Sequence, residues 1–141
     1  MNLDGVRVVA ALPTTFMNES GQTVAPLVRY YGIDLDRLLV VHDDIDVPFA
    51  KMKMQFGRGH GGNNGVRSTI GSVRSNDFWR LKIGVGRPPG RKDPADFVLE
   101  RFSNAEREDI GAAVYRAVEV IERFVGFGGE DARQFTGERN E

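Results

Sequence analysis

Short apolar or alternating runs, separated by stretches with helical periodicity, set the fold class of this chain. Residues 6–12 (VRVVAAL) form a nearly continuous apolar run, as expected of a strand buried on both faces, and Pro13 ends it. Past a polar loop at 14–21, Val24, Leu27, Val28 and Tyr31 recur at helical spacing, with Gly32 as the stop. Residues 38–41 (LLVV) predict a second buried strand. Residues 51–56 (KMKMQF) and 79–85 (WRLKIGV) alternate, which places Lys51 and Lys53 on one face of the first strand and Arg80 and Lys82 on one face of the second. Between them a glycine-rich loop at 57–65 opens a helix expected from Asn64 to about Val73. Residues 95–101 suit a helical turn or a strand. The strongest helix is expected over 104–125, capped by Asn104, with Ile110, Ala113, Val114, Ala117, Val118, Ile121 and Val125 as its apolar stripe. Strands alternating with helices predict an α/β sandwich. The expected organisation is one domain over 1–125 with a polar, flexible tail at 126–141.

Charge is distributed unevenly. Between Lys51 and Lys92 there are ten Lys/Arg and one acid, Asp77, although the whole chain carries a formal charge of −1. The basic block, punctuated by glycines and asparagines, reads as a surface for a polyanion such as RNA, or as a solvated face whose acids lie elsewhere in the fold. Lys51, Lys53, Arg58, Arg67, Arg80 and Lys82 are the candidates for phosphate contact, residues that set affinity and salt dependence more than specificity. If the strands at 51–56 and 79–85 are neighbours, four of these cations form one patch. Cysteine is absent, which excludes disulfides and thiolate metal sites and fits a reducing, cytoplasmic setting. No apolar run approaches the length of a membrane span, and the start MNLDGVRVVAALP lacks the basic cluster of a signal peptide.

Three polar clusters are expected past the carboxyl ends of strands, where α/β sheets collect ligands: Thr14-Thr15-Phe16-Met17-Asn18, His42-Asp43-Asp44-Ile45-Asp46, and the loop from Gly57 to Gly65. Amide donors, a carboxylate and backbone N–H groups at a helix amino terminus suit a phosphate or a developing oxyanion. Asp43, Asp44 and Asp46 also read as a surface turn or as a Mg²⁺ site for a phosphoesterase. His42 suits a structural hydrogen-bonding role, and His60 an RNA contact or plain surface.

The segments LPTTFMNESG, VVHDDIDVP, GHGGNNGVRS and WRLKIGVGRP, in this order, resemble those of bacterial peptidyl-tRNA hydrolases, and FVLERFSNAE resembles that family's lid region. The resemblance implies a three-layer α/β sandwich around a mixed, largely parallel sheet. It implies hydrolysis of the ester between peptide and tRNA, on peptidyl-tRNA as substrate, by a cytoplasmic monomer with no metal or organic cofactor. Carried over residue by residue, it makes Asn18 a substrate contact with Phe16 on the same wall, and Asn64 a binder of the peptidyl-tRNA end. It makes Asp43 the carboxylate that orients a catalytic histidine. Asn63 stands where the family has histidine, which should tune binding. The chain also begins after the family's first strand and helix, so it is expected to be N-terminally truncated, through a shortened or misassigned gene start, and to lack the catalytic-histidine segment. A non-catalytic RNA-binding domain is the alternative.

Overall fold

A computed structural model describes residues 1–88, 90, 93 and 101–139. Half of the stretch at 87–94 and nearly all of that at 95–101 lie outside the described residues. The chain divides into two compact units, Met1–Val40 with Gln55–Arg80 and Val41–Met54 with Leu81–Glu141. Each unit joins two separated stretches of the chain.

In the first unit, β1 (Asn2–Leu3) and β2 (Val6–Arg7) pair antiparallel, with Asn2 opposite Arg7 and Leu3 opposite Val6. Asp4 (φ 51°) and Gly5 (φ 84°) are both left-handed, the turn that matches the twist of a tight hairpin. The run at 6–12 was expected to be one long buried strand. Its pairing stops instead at Val8, whose N–H and carbonyl meet Met1, and Leu12 is 89% exposed. An apolar run marks what can be buried, but a strand also needs a neighbouring edge for its backbone groups.

A 3-10 turn at Met17–Glu19 leads into α1 (Gly21–Tyr31), which ends at left-handed Gly32 as its sequence predicts. α2 (Asn64–Val73) packs against α1. The approach is closest at Gly21, whose N–H donates to Ser68 Oγ at 2.9 Å. A methyl group there would overlap the Ser68 carbonyl and the Ser72 side chain, so glycine is required by space and not by backbone angle.

Three strands, β3 (Leu39–Asp44), β4 (Met52–Phe56) and β5 (Trp79–Gly84), form a mixed sheet in the order β3–β5–β4. Trp79 N–H donates to Leu38 O and Val85 N–H to Asp44 O, so β3 and β5 are parallel. Gly57 N–H donates to Phe78 O and Gly84 N–H to Lys51 O, so β4 runs antiparallel to β5. β4 alternates as its sequence indicates: Met52 and Met54 are buried, Lys51 and Lys53 exposed. β5 does not. Trp79, Arg80 and Leu81 are all buried, so both faces of the strand are covered there.

In the second unit, α3 (Asn104–Phe127) starts at a capping box. Ser103 Oγ accepts the Glu106 N–H and the Glu106 carboxylate accepts the Ser103 N–H. Ser103 is therefore the cap in place of Asn104, because the Ser-x-x-Glu pair satisfies two orphan N–H groups at once. Its buried residues are Ala113, Ala117, Val120 and Phe124, whereas Val114 and Val118, expected in the buried stripe, are about half exposed. The tail expected to be flexible is helical: α4 (Gly129–Arg139) packs on α3, with Ala132 and Thr136 buried. Arg123 holds the Asp131 carboxylate through two bonds of 2.8 and 3.0 Å, and its guanidinium lies over the Phe127 and Phe135 rings. The polarity that suggested a loose end is spent within the helical hairpin.

Gly21→Ala should destabilise the fold by about 1–3 kcal/mol, the usual cost of overpacking. Gly71→Ala, at a helical glycine with open space around it, should instead be neutral or stabilising by up to about 1 kcal/mol. Urea melts of the two variants check the pair; equal effects would refute the close approach of α1 and α2.

Candidate functional site

The first unit holds Phe16, Asn18, Arg58, Asn64, Arg67 and Arg80; the second holds Asp43, Lys51, Lys53 and Lys82.

In the first unit, the turn carrying Asn18 packs on the amino terminus of α2. Met17 Cγ lies 3.2 Å, and Ser20 Oγ 3.4 Å, from where a Cβ on Gly65 would stand. Gly65 thus lets the turn come close, and Asn18 and Asn64 stand on these touching elements, both exposed. Phe16 is 80% exposed, unusual for a large aromatic side chain. Asn63 caps α2: its Oδ1 accepts the Val66 N–H at 3.0 Å. Asn63 therefore fixes the helix start beside Asn64, a role that its preference for helix caps could have revealed.

The glycine loop leaves β4 at Gly57, bonded to Phe78 just before β5 begins. Because β4 is antiparallel, the loop leaves beside the amino end of β5, not past a carboxyl end shared by parallel strands. Arg58 and Arg67 are exposed, as phosphate contacts require. Arg80 is 1% exposed, which corrects its expected place among the surface cations. Its guanidinium donates to Gly59 O at 2.5 Å and Arg58 O at 2.7 Å, and lies 5.1 Å from the centre of the Phe78 ring. Its Nε has no hydrogen-bond partner among the described residues. Desolvation by burial lowers its pKa. Alternation predicted an exposed face for Arg80, but the glycine loop folds over that face.

In the second unit, His42, Asp43 and Asp44 lie within β3 and not beyond it. Asp44 pairs with Lys82 at 3.5 Å, both largely buried, while Asp46 accepts from Arg87 Nε at 2.8 Å. The Asp44 carboxylate also accepts the Asp46 N–H at 2.7 Å, closing an Asx turn. These carboxylates are met by cations, and among the described residues no cluster of three His, Cys, Asp or Glu side chains is arranged to hold a metal ion. Lys51 and Lys53 are exposed and line a shallow cavity of about 330 Å³ with Asp46, Val47, Pro48 and Met52.

The two histidines differ. His60 Nδ1 accepts the Gly62 N–H at 3.0 Å. His42 Nδ1 lies 2.8 Å from the Asp43 carbonyl oxygen, which can only accept, so Nδ1 carries the proton. Nε2 is buried with no hydrogen-bond partner among the described residues. Burial lowers the His42 pKa, opposed chiefly by the Asp43 carbonyl and the Asp44 carboxylate. A histidine held neutral in the folded state protonates more readily once unfolded, so its contribution is present above about pH 6.5 and is lost as pH falls below that value. The stability gap between the native protein and His42→Gln should therefore shrink between about pH 7.5 and 5.5. Thermal melts across that range check it; a constant gap would count against a buried neutral imidazole.

None of the described helices is long and apolar enough to cross a membrane. A family profile of peptidyl-tRNA hydrolases matches residues 1–140. Among named relatives, the chain is 48% identical over 130 residues to the peptidyl-tRNA hydrolase of Kineococcus radiotolerans, covering 92% of this chain and 66% of that one. It is 44% identical over 131 residues to that of Mycobacterium avium, covering 93% and 69%. A crystal structure of peptidyl-tRNA hydrolase from Acinetobacter baumannii superposes with a TM-score of 0.81 at 30% identity, over 89% of this chain and 63% of that one. The chain thus spans about two thirds of the length of these proteins. With the Phe16–Asn18 turn seated on α2 and the family match running nearly end to end, the chain belongs to the peptidyl-tRNA hydrolase family.

Proposed function

We propose that the protein acts on peptidyl-tRNA, hydrolysing the ester between the peptide and the tRNA and so releasing both. The observation that carries this reading is the pair of exposed amides, Asn18 and Asn64, on two touching elements beside an exposed aromatic side chain. An asparagine N–H can donate to a carbonyl oxygen as it becomes an oxyanion, and an apolar ring can shield the reacting ester from bulk water. Phe16 and Asn18 hold the peptide side of the bond and Asn64 the tRNA end. Water is the nucleophile. Asp43 orients an imidazole that takes the proton, since a carboxylate accepting the imidazole N–H fixes its tautomer and stabilises the charge it gains. Lys51, Lys53, Arg58 and Arg67 attract the tRNA backbone through exposed positive charge. The absence of cysteine fits a cytoplasmic setting; a monomer that needs no metal or organic cofactor is what the family resemblance implies.

A second reading is favoured by one observation: neither His42 nor His60 is placed as the base. His42 Nδ1 faces a backbone carbonyl, and His60 Nδ1 is occupied by Gly62 N–H. On that reading the chain binds RNA without turnover. A third, a Mg²⁺-dependent phosphoesterase on Asp43, Asp44 and Asp46, loses support because Asp44 and Asp46 are paired with Lys82 and Arg87.

Peptide release from peptidyl-tRNA, with and without EDTA, separates the three. EDTA-insensitive release supports the esterase, chelator-blocked release the metal enzyme, and binding without release the RNA-binding domain. If release occurs, Asn18→Ala and Asn64→Ala should each lower it by roughly 10²–10³-fold, the usual loss for an oxyanion donor. Lys51→Gln and Lys53→Gln should each reduce the salt slope of tRNA binding by about one. Unchanged slopes would make that face merely solvated.

A further inference from the structure

We propose that Arg80 is a positioning residue for tRNA binding. By clamping two carbonyls of the glycine loop from beneath, it fixes the path of residues 57–62 and thereby presents the amino terminus of α2, with Asn64, to the tRNA end. The inference rests on the peptidyl-tRNA reading and adds a residue to it.

The loop is one that would not hold its shape unaided. Gly57, Arg58, Gly61 and Gly62 all have φ between 58° and 83°, a region that only glycine enters freely. Arg58 is not glycine, so its left-handed backbone is disfavoured unless something compensates. The carbonyls of Arg58 and Gly59 meet the two terminal nitrogens of the Arg80 guanidinium. Asn76 Nδ2 adds a third donor, to Arg58 O at 3.0 Å, and Gly57 N–H bonds Phe78 O at 3.2 Å. The base of the loop is therefore tied to residues 76–80.

From there hydrogen bonds run on to the helix. Gly62 N–H meets His60 Nδ1, Asn63 N–H meets His60 O at 3.0 Å, and Asn63 Oδ1 caps Val66. Arg80 cannot itself reach a phosphate, because it is 1% exposed. The planar guanidinium meets the two carbonyls from two separate nitrogens in a fixed fork, whereas a lysine ammonium carries its three donors on one nitrogen and does not reproduce that spacing.

The test uses the full chain with Arg80→Lys and Arg80→Met. Three readouts apply: affinity for tRNA over a salt series, thermal stability, and amide hydrogen exchange along residues 59–66. Both variants should weaken tRNA binding by about tenfold or more, since small misplacements of a binding group are costly, with the salt slope unchanged and exchange at Gly62, Asn63 and Val66 accelerated. Retention of affinity in Arg80→Lys together with a reduced slope in Arg80→Met would make Arg80 a direct phosphate contact and overturn the proposal. So would a fall in melting temperature with loop exchange and affinity unchanged in the folded protein, which is a purely structural role. If the unsubstituted chain binds no tRNA, the functional reading fails on its own, and loop exchange still decides whether Arg80 sets the loop.

Discussion

A guanidinium in the central strand of a sheet is the constraint on which the first unit turns. Removing a cation from water costs several kcal/mol even after relaxation, against a total stability of about 5–15 kcal/mol for a small protein. Arg80 offsets that cost with two charge-assisted hydrogen bonds, each contributing roughly 1.5–3 kcal/mol, and with the face of Phe78. Both acceptors are carbonyls of a loop whose backbone is disfavoured. The burial of Arg80 and the shape of the loop are therefore mutual conditions, each tolerable only with the other in place. Desolvation that lowers the Arg80 pKa is the same cost expressed in protons.

Much of this was legible in the sequence, and the misses share a cause. α1, α2 and β4 follow from local chemistry: Gly32 stops the first helix, a glycine-rich loop opens the second, and Lys-Met-Lys-Met alternates. Period and turn residues report on a segment's own faces. They do not report which edge a strand will find. The run at 6–12 has the composition of a buried strand and pairs only as far as Val8; Arg80 has the spacing of a surface cation and sits in the middle of the sheet. The end of the chain follows the same rule. The stretch at 126–141 reads as a polar tail, yet Arg123 finds Asp131 eight residues away, beyond the reach of helical periodicity. Ser103 was missed as a cap because Asn104, beside it, satisfies the same preference, and only the partner at Glu106 decides between them.

The basic middle of the sequence is less uniform in space than along the chain. Of its cations, Arg80 serves the loop, Lys82 neutralises Asp44 and Arg87 is held at Asp46. Among the described residues, what remains displayed in each unit is smaller: Arg58, Arg67 and Arg74 in the first, Lys51 and Lys53 in the second. Ion pairs that are largely buried are screened less than exposed ones, so Lys82 contributes to the charge balance of β3 before it contributes to any field felt by a polyanion. Counting charges in a segment overstates a binding surface whenever acids from another segment fold against it, as Asp44 and Asp46 do here.

The adjacency of His42 and Asp43 invites a reading that strand geometry rules out. Neighbouring residues of a strand project to opposite faces, and the hydrogen-bond contact from His42 to Asp43 is to the backbone carbonyl, which fixes the His42 tautomer while its other nitrogen is buried. An imidazole oriented by the Asp43 carboxylate must come from elsewhere than position 42. On the proposed reading, contact by Asn18 and Asn64 needs no such partner, because an amide donates at any ordinary pH. Binding and proton transfer would then rest on different chemical conditions, the first on neutral amides and the second on a titrating imidazole.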